Sequence, residues 1–246
     1  MRLARDFVET GKWLFRWRSY LPLLLLGLVL LAFREYRYLC NSAVLDDIWD
    51  LFCMAVSFSG LAIRVYTTGH TPKKTSGRNV REQVAESLNT AGIYSAVRHP
   101  LYLGNFVIWL GISLFVHTWW LTLICILVFW LYYERIMFAE EEFLSEKFGA
   151  AYEEWAARTP AFIPRLRSWR SPDLPFSLKT VLKREYNSFY AIILMFTFLE
   201  VVSGVVVEGK LRLGLMWWVI LGSGTLVFLT LRTIRKKTRL LSAAGR

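Results

Sequence analysis

Long apolar blocks alternate along the chain with shorter charged ones. Residues 21–33, 51–63, 101–116, 119–133, 189–207 and 215–231 are almost free of charge. With their flanks most approach the roughly 20 residues a helix needs to cross a bilayer. The pattern predicts an all-α, polytopic transmembrane bundle of about six spans with cytoplasmic amphipathic helices. The two blocks that follow His99 are short and lie close together, so a tight hairpin, tilted or partly buried by protein, also satisfies them. No internal repeat or low-complexity tract points to an array.

Two polar inserts interrupt the apolar pattern. In the first, Asn79 can cap a short surface helix with Val80, Val84 and Leu88 on one face, stopped by Asn89, Thr90, Ala91 and Gly92. In the second, residues 135–155 projected at about 100° per residue form a broad apolar face. That face carries Ile136, Phe143, Leu144, Phe148, Ala151, Tyr152 and Trp155, with Glu142, Glu146 and Glu153 opposite. Glu140 falls inside it and Glu141 at its border. An ionised carboxylate on an apolar face is costly unless it has a partner or a function, so both glutamates are candidate site residues. The plainer reading is snorkelling or pairing to a nearby arginine.

Composition agrees with a membrane protein: 55% of the 246 residues are hydrophobic. The net charge of +11 does not signal nucleic acid, because the basic residues flank the spans instead of forming a separate module. They encode orientation. Arg2, Arg5, Lys12, Arg16 and Arg18 precede the first span, Lys73, Lys74, Arg78 and Arg81 follow the second, and residues 134–187 and 232–246 are basic again. The alternate loops are poorer in Lys and Arg and contain Asp46, Asp47 and Asp50. By the positive-inside rule both termini and both inserts face the cytoplasm. The first block follows a long basic stretch and has no small-residue cleavage site after it, so it reads as a retained span instead of a signal peptide. Cys40, Cys53 and Cys125 lack metal-ligand spacing, and the two inside spans read as apolar filler, so no metal site is expected. The chain divides into an N-terminal two-span region (1–91), a core (92–170) and a C-terminal two-span region with a basic tail (171–246).

The densest cluster of special residues runs from Gly92 to Asn105, where the third span begins. Pro100 suits the first helical position, since its missing N–H is not needed there. The free N–H groups that follow carry partial positive charge, and Arg98 adds a full one, which makes a binding place for a carboxylate or phosphate. Tyr102 and Asn105 are neighbours on the first turns. Gly104 and Gly111, seven apart, clear a strip for a ligand or another helix. Taken alone, a satisfied interfacial histidine and a snorkelling arginine would also explain Arg98 and His99.

Together these residues resemble the isoprenylcysteine carboxyl methyltransferase and phospholipid methyltransferase superfamily. Gly92, Tyr94, Arg98, His99, Pro100, Tyr102 and Gly104 match its first motif. Glu140, Glu141, Leu144, Phe148, Gly149 and Tyr152 match its second, followed by Pro164. The resemblance covers residues 92–164. It implies methyl transfer from S-adenosylmethionine to a membrane-embedded lipid or lipidated acceptor, with Tyr94, Arg98, His99, Tyr102, Gly104 and Glu140 lining the cofactor. Glu140, Glu141 and Arg98 would act in catalysis. The family often has Arg four residues before the glutamate pair, where this chain has Ile136 beside Arg135. The blocks beyond Pro164 lie outside the minimal family pattern and suit an acceptor cavity or an oligomer contact.

Arg165, Arg167 and Arg170 surround the interfacial Trp169 and are candidates for holding an anionic headgroup. An anionic oxygen acceptor, carboxylate or phosphate, therefore suits the sequence better than an amine. Two other classes remain open: an NADPH-dependent membrane sterol or fatty-chain reductase, which shares a related His-Pro helix start, and a non-catalytic membrane scaffold. Leu101 and the glutamate pair favour the methyltransferase over the reductase.

Overall fold

The computed structural model describes residues 2–17, 20, 24–72, 85–238 and 240–241. Among these residues eight α-helices follow one another: α1 (Arg2–Trp17), α2 (Leu24–Ala32), α3 (Ala43–His70), α4 (Pro100–Leu114), α5 (Trp119–Phe148), α6 (Ala150–Ala156), α7 (Leu178–Glu208) and α8 (Leu215–Lys237). Among the described residues the one β feature is an isolated antiparallel bridge between Gly92 and Arg170. The helix expected around Asn79 falls outside the described residues.

Among the described residues four helices are long and apolar enough to cross a membrane: α3, α5, α7 and α8. The other two apolar blocks give shorter helices, nine residues in α2 and 15 in α4. The fourth block and the helix that bears the glutamates, expected as two elements, are one helix, α5. Its 30 residues extend ~45 Å at 1.5 Å per residue. No proline or glycine interrupts the run from residue 119 to 148, so nothing breaks the hydrogen-bond ladder. The break comes at Gly149, whose φ of 53° and ψ of −130° belong to a region that glycine adopts without steric cost. The stretch before the first span, read as a basic flank, is also a helix. In α1, Phe15 and Gly11 are buried, and Phe7 sits edge-on to Phe138 of α5.

The core lies between α3, α4 and α7. Helix α3 turns Cys53, Met54, Ser57, Gly60 and Leu61 inward at three- and four-residue spacing, the stripe of a helix packed along one side. Gly60 meets Gly104 of α4 so closely that a Cβ on Gly60 would stand 2.5 Å from the Gly104 carbonyl oxygen. Gly111 seats against Ser57 and Cys53 in the same way. Ile192, Phe196 and Leu199 of α7 and Trp217 of α8 close the core from the other side, and Cys53 and Cys125 fill it as buried apolar groups.

The two ends of the bundle differ in charge. At one end Asp46 accepts hydrogen bonds from the Tyr36 hydroxyl at 2.7 Å and the Leu39 N–H at 3.0 Å, close to His117 and the buried Asp50. At the other end the C-terminus of α3, the start of α4, the second half of α5, the start of α7 and the end of α8 gather. Arg235 of α8 donates there to the Tyr186 hydroxyl of α7 at 2.9 Å.

Candidate active site

Arg98, His99, Tyr102, Glu140 and Glu141 meet at this second end. Residues 92–99 are held in place by the segment after α6. The Arg98 N–H donates to the Pro160 carbonyl at 2.9 Å, the His99 N–H to that of Ala161 at 3.2 Å, and the Arg165 N–H to that of Ala96 at 2.9 Å. Gly92 N–H donates to the Arg170 carbonyl at 3.0 Å, and Arg170 N–H returns to Ser95 Oγ at 2.8 Å. Trp155 of α6 adds a bond from its indole N–H to the Tyr94 carbonyl at 3.0 Å. An irregular loop with its N–H groups satisfied in this way can hold side chains as firmly as a helix.

Pro100 starts α4 at its first turn, so His99 ends the loop and projects toward α5. Its Nε2 lies 2.9 Å from Glu141 Oε1 and its Nδ1 3.7 Å from Glu140 Oε2. One turn on, the Tyr102 hydroxyl donates to Glu140 Oε2 at 2.8 Å. The rings of His99 and Tyr102 stack, 5.6 Å between centroids and 21° apart. Arg98 Nε forms an ion pair with Glu141 Oε1 at 3.3 Å. The consecutive glutamates thus serve two partners, Glu141 the Arg98–His99 pair and Glu140 the Tyr102 hydroxyl. The imidazole is buried while both carboxylates are about a quarter to a third exposed, 25% and 30%.

Aromatic residues surround this polar cluster. Tyr133 contacts the Tyr102 ring at 5.0 Å and stacks on Phe129 at 4.0 Å, with Phe106 and Phe162 beyond. On the other side burial, and after it the negative charge of Glu140, hold the Tyr94 hydroxyl well above its ordinary pKa. Burial and the neighbouring Glu141 do the same for Tyr152 of α6. Both phenols therefore stay protonated and able to donate at neutral pH.

Two groups of candidates lie apart from that cluster. Gly104 faces α3, not the glutamates: a Cβ there would stand 2.6 Å from Arg64 Cγ and 2.8 Å from the Gly60 carbonyl oxygen. Its strip is filled by a helix. Arg165, Arg167 and Arg170 lie on the exposed segment after α6; the backbones of the first and last are tied to the Gly92–Ala96 stretch.

Two charged residues that the sequence pattern did not single out, Arg64 and Glu185, meet beside α4. Arg64 of α3 makes a bidentate ion pair with the buried Glu185 of α7, Nε to Oε2 at 3.0 Å and Nη2 to Oε1 at 3.2 Å. Its Nη1 donates to Asn105 Oδ1 at 2.6 Å, and Asn105 Nδ2 donates to the Tyr133 hydroxyl at 3.3 Å. The available signal was a charged residue directly after an apolar run, Arg64 behind residues 51–63, and another at the head of the fifth block, Glu185.

The phospholipid methyltransferase family profile matches residues 52–151, a stretch that holds α4, α5, the polar cluster and α3 from residue 52 onward. Relatives of two kinds match, metal-resistance proteins and isoprenylcysteine methyltransferases. The chain is 35% identical over 128 residues to the nickel-cobalt-cadmium resistance protein NccN of Alcaligenes xylosoxydans xylosoxydans, covering 51% of this chain and 57% of that one. It is 38% identical over 77 residues to the protein-S-isoprenylcysteine O-methyltransferase of Schizosaccharomyces pombe, covering 31% and 33%. It is 31% identical over 153 residues to a probable protein-S-isoprenylcysteine O-methyltransferase of Oryza sativa subsp. indica, covering 55% and 78%. The chain thus spans little more than half of the first relative and a third of the second. No solved structure matches. The chain belongs to the isoprenylcysteine carboxyl methyltransferase and phospholipid methyltransferase superfamily.

Proposed function

We propose that the protein transfers a methyl group from S-adenosylmethionine to an anionic oxygen of a membrane lipid or lipidated acceptor, at a site open to the cytoplasm. The observation that carries this reading is the meeting of both motif halves in one polar cluster, His99 on Glu141 and Tyr102 on Glu140, at the end of an apolar bundle.

The residues fit this cofactor in kind and in charge. Arg98, whose Nε pairs with Glu141 Oε1 at 3.3 Å, brings a guanidinium to the cluster, a group suited to the carboxylate of an amino-acid moiety. The glutamate pair offers acceptors for an ammonium group and for ribose hydroxyls. When bound, S-adenosylmethionine supplies an electrophilic methyl group on a positively charged sulfur. Around it Glu140 and Glu141 provide negative charge, and Tyr102, Phe106, Phe129 and Tyr133 exclude water. Alignment of acceptor and methyl carbon is the main contribution left to the protein. An anionic oxygen forms its new bond to carbon as the carbon–sulfur bond breaks, and no proton moves. An amine acceptor would instead pass a proton to Glu140 or Glu141. Arg165, Arg167 and Arg170 supply the positive charge that favours the anion. A nicotinamide cofactor with its several phosphate charges fits less well, because two carboxylates, Glu140 and Glu141, share the cluster.

The orientation follows from the charged ends. In our reading α2 and α4 complete six crossings, which puts both termini and the glutamates on the cytoplasmic side. Arg158 after α6, Lys179 and Lys183 at the start of α7 and Arg235, Lys236 and Lys237 at the end of α8 lie at the same end of the bundle as the site, whereas Asp46, Asp47 and Asp50 belong to the far end, as the positive-inside rule requires.

The test is methyl transfer by purified protein in lipid vesicles, with methyl-labelled S-adenosylmethionine and three acceptors: a prenylated cysteine with a free carboxylate, phosphatidic acid and phosphatidylethanolamine. Label is expected in one of the two anionic acceptors. Label confined to phosphatidylethanolamine contradicts the choice of an oxygen acceptor, and NADPH binding in place of S-adenosylmethionine contradicts the enzyme class.

A further inference from the structure

Helix α7 lies wholly beyond residues 52–151, the stretch matched by the family. Even so, its Glu185 reaches back into that stretch. Among apolar helices, an ionised arginine and glutamate are stable only as a pair with their remaining hydrogen-bonding capacity used. Arg64 and Glu185 meet that requirement through the fork of two N–H groups on one carboxylate. Such a pair adds little to stability, because well-packed apolar residues of similar volume often serve a buried site as well or better. The contact between α3 and α7 has apolar support of its own, including Phe58 on Phe189 at 5.8 Å. A staple between the two helices therefore does not require these charges.

What apolar residues could not replace is the third arm of the guanidinium. Arg64 Nη1 donates to Asn105 Oδ1 at 2.6 Å, which fixes which end of the amide faces which way. The Nδ2 end is thereby turned to the Tyr133 hydroxyl at 3.3 Å. The Tyr133 ring supports the ring of Tyr102 at 5.0 Å, whose hydroxyl holds Glu140 at 2.8 Å. Gly104 is part of the same arrangement, since a side chain on it would occupy the place of the Arg64 shaft.

We infer that Arg64, oriented by Glu185 of α7, is a positioning residue of the cofactor site, acting through Asn105 and Tyr133 on the Tyr102–Glu140 pair. This rests on the S-adenosylmethionine reading above. It gives the C-terminal helices a part in the site: α7 supplies the anion that points the guanidinium at α4.

The experiment measures S-adenosylmethionine affinity by calorimetry together with Tm, in detergent, for the full chain and two variants. The double variant Arg64→Met with Glu185→Leu removes both charges together and is expected to keep or raise Tm while weakening S-adenosylmethionine at least tenfold. Arg64→Lys keeps a charge for Glu185 but, as a point donor on a flexible stem, cannot bridge the carboxylate and the amide together. It is expected to insert normally and to bind several-fold more weakly, so the inference stays testable should the double variant fail to fold. Parent-like affinity in whichever variant folds would reduce the pair to a helix staple and overturn the inference. A parent that binds no S-adenosylmethionine removes this inference and the proposed function together. A parent that binds it yet methylates none of the three acceptors, while both variants bind weakly, counts against the acceptor assignment alone and supports the positioning role.

Discussion

His99 Nε2 and Glu141 Oε1 lie 2.9 Å apart although the two residues are 42 positions apart in the chain. The α4–α5 hairpin creates this contact, and α5 must continue unbroken past the apolar block for Glu141 to arrive opposite the loop before α4. Position and chemistry are thus tied to one another: the long helix carries the carboxylates, and the Pro100 start of α4 presents the imidazole and the Tyr102 phenol to them.

Glu140→Gln keeps an acceptor for the Tyr102 hydroxyl and removes only the charge. His99→Ala removes the bond to Glu141 but leaves Arg98 beside that carboxylate. Both variants are expected to insert, purify and melt within a few degrees of the parent. S-adenosylmethionine affinity should fall about tenfold or more, which is ~1.4 kcal/mol. Calorimetry with a matched thermal melt checks this; unfolded His99→Ala protein or parent-like affinity in both would reject the assignment.

Gly104→Ala tests the packing role of that glycine. A methyl group 2.6 Å from Arg64 Cγ and 2.8 Å from the Gly60 carbonyl oxygen forces α3 and α4 apart, at a cost of about 1–3 kcal/mol for overpacking. Tm should drop by several degrees, and a melt unchanged from the parent would show that the strip is open.

Replacing Arg165, Arg167 and Arg170 together with Gln should raise the KM of an anionic acceptor while leaving cofactor affinity within about twofold. Each charge near an anionic surface contributes roughly 1 kcal/mol. Steady-state kinetics on phosphatidic acid vesicles or the prenylated cysteine reads the effect, and equal losses in both constants would remove these arginines from acceptor binding.

The orientation can be read from native and introduced cysteines. Cys40 is exposed at the acidic end, whereas Cys53 and Cys125 are buried. In intact cells an impermeant maleimide should label Cys40. It should not label Ser171→Cys or Thr238→Cys in a Cys40→Ser background. The reverse pattern would place the site outside and deprive it of a cytosolic cofactor.

The polar cluster was legible because its residues break local rules: a proline and an arginine-histidine pair at a helix start, and carboxylates on an apolar face. The spans α3, α7 and α8 were legible for the opposite reason, as long apolar blocks almost free of charge. The α1 helix was hidden because its charge dominated the reading, although Phe7, Gly11 and Phe15 repeat every four residues. Helix α5 was divided in two because polarity changes near Tyr133 while the backbone does not, and its true stop is the positive φ of Gly149. Gly104 looked like ligand space, since sequence cannot say whether a cleared strip receives a cofactor or Arg64. The Arg64–Glu185 pair joins residues 121 positions apart, a distance over which no local pattern carries information.

The central claim is that the cluster of Arg98, His99, Tyr102, Glu140 and Glu141 binds S-adenosylmethionine, and equilibrium binding to the purified full chain tests it most directly. Calorimetric titration with S-adenosylmethionine, run beside NADPH, should give saturable one-site binding for the first and none for the second, with Glu140→Gln weakening it. Saturable NADPH binding, or S-adenosylmethionine binding indifferent to Glu140→Gln and His99→Ala alike, would contradict the account.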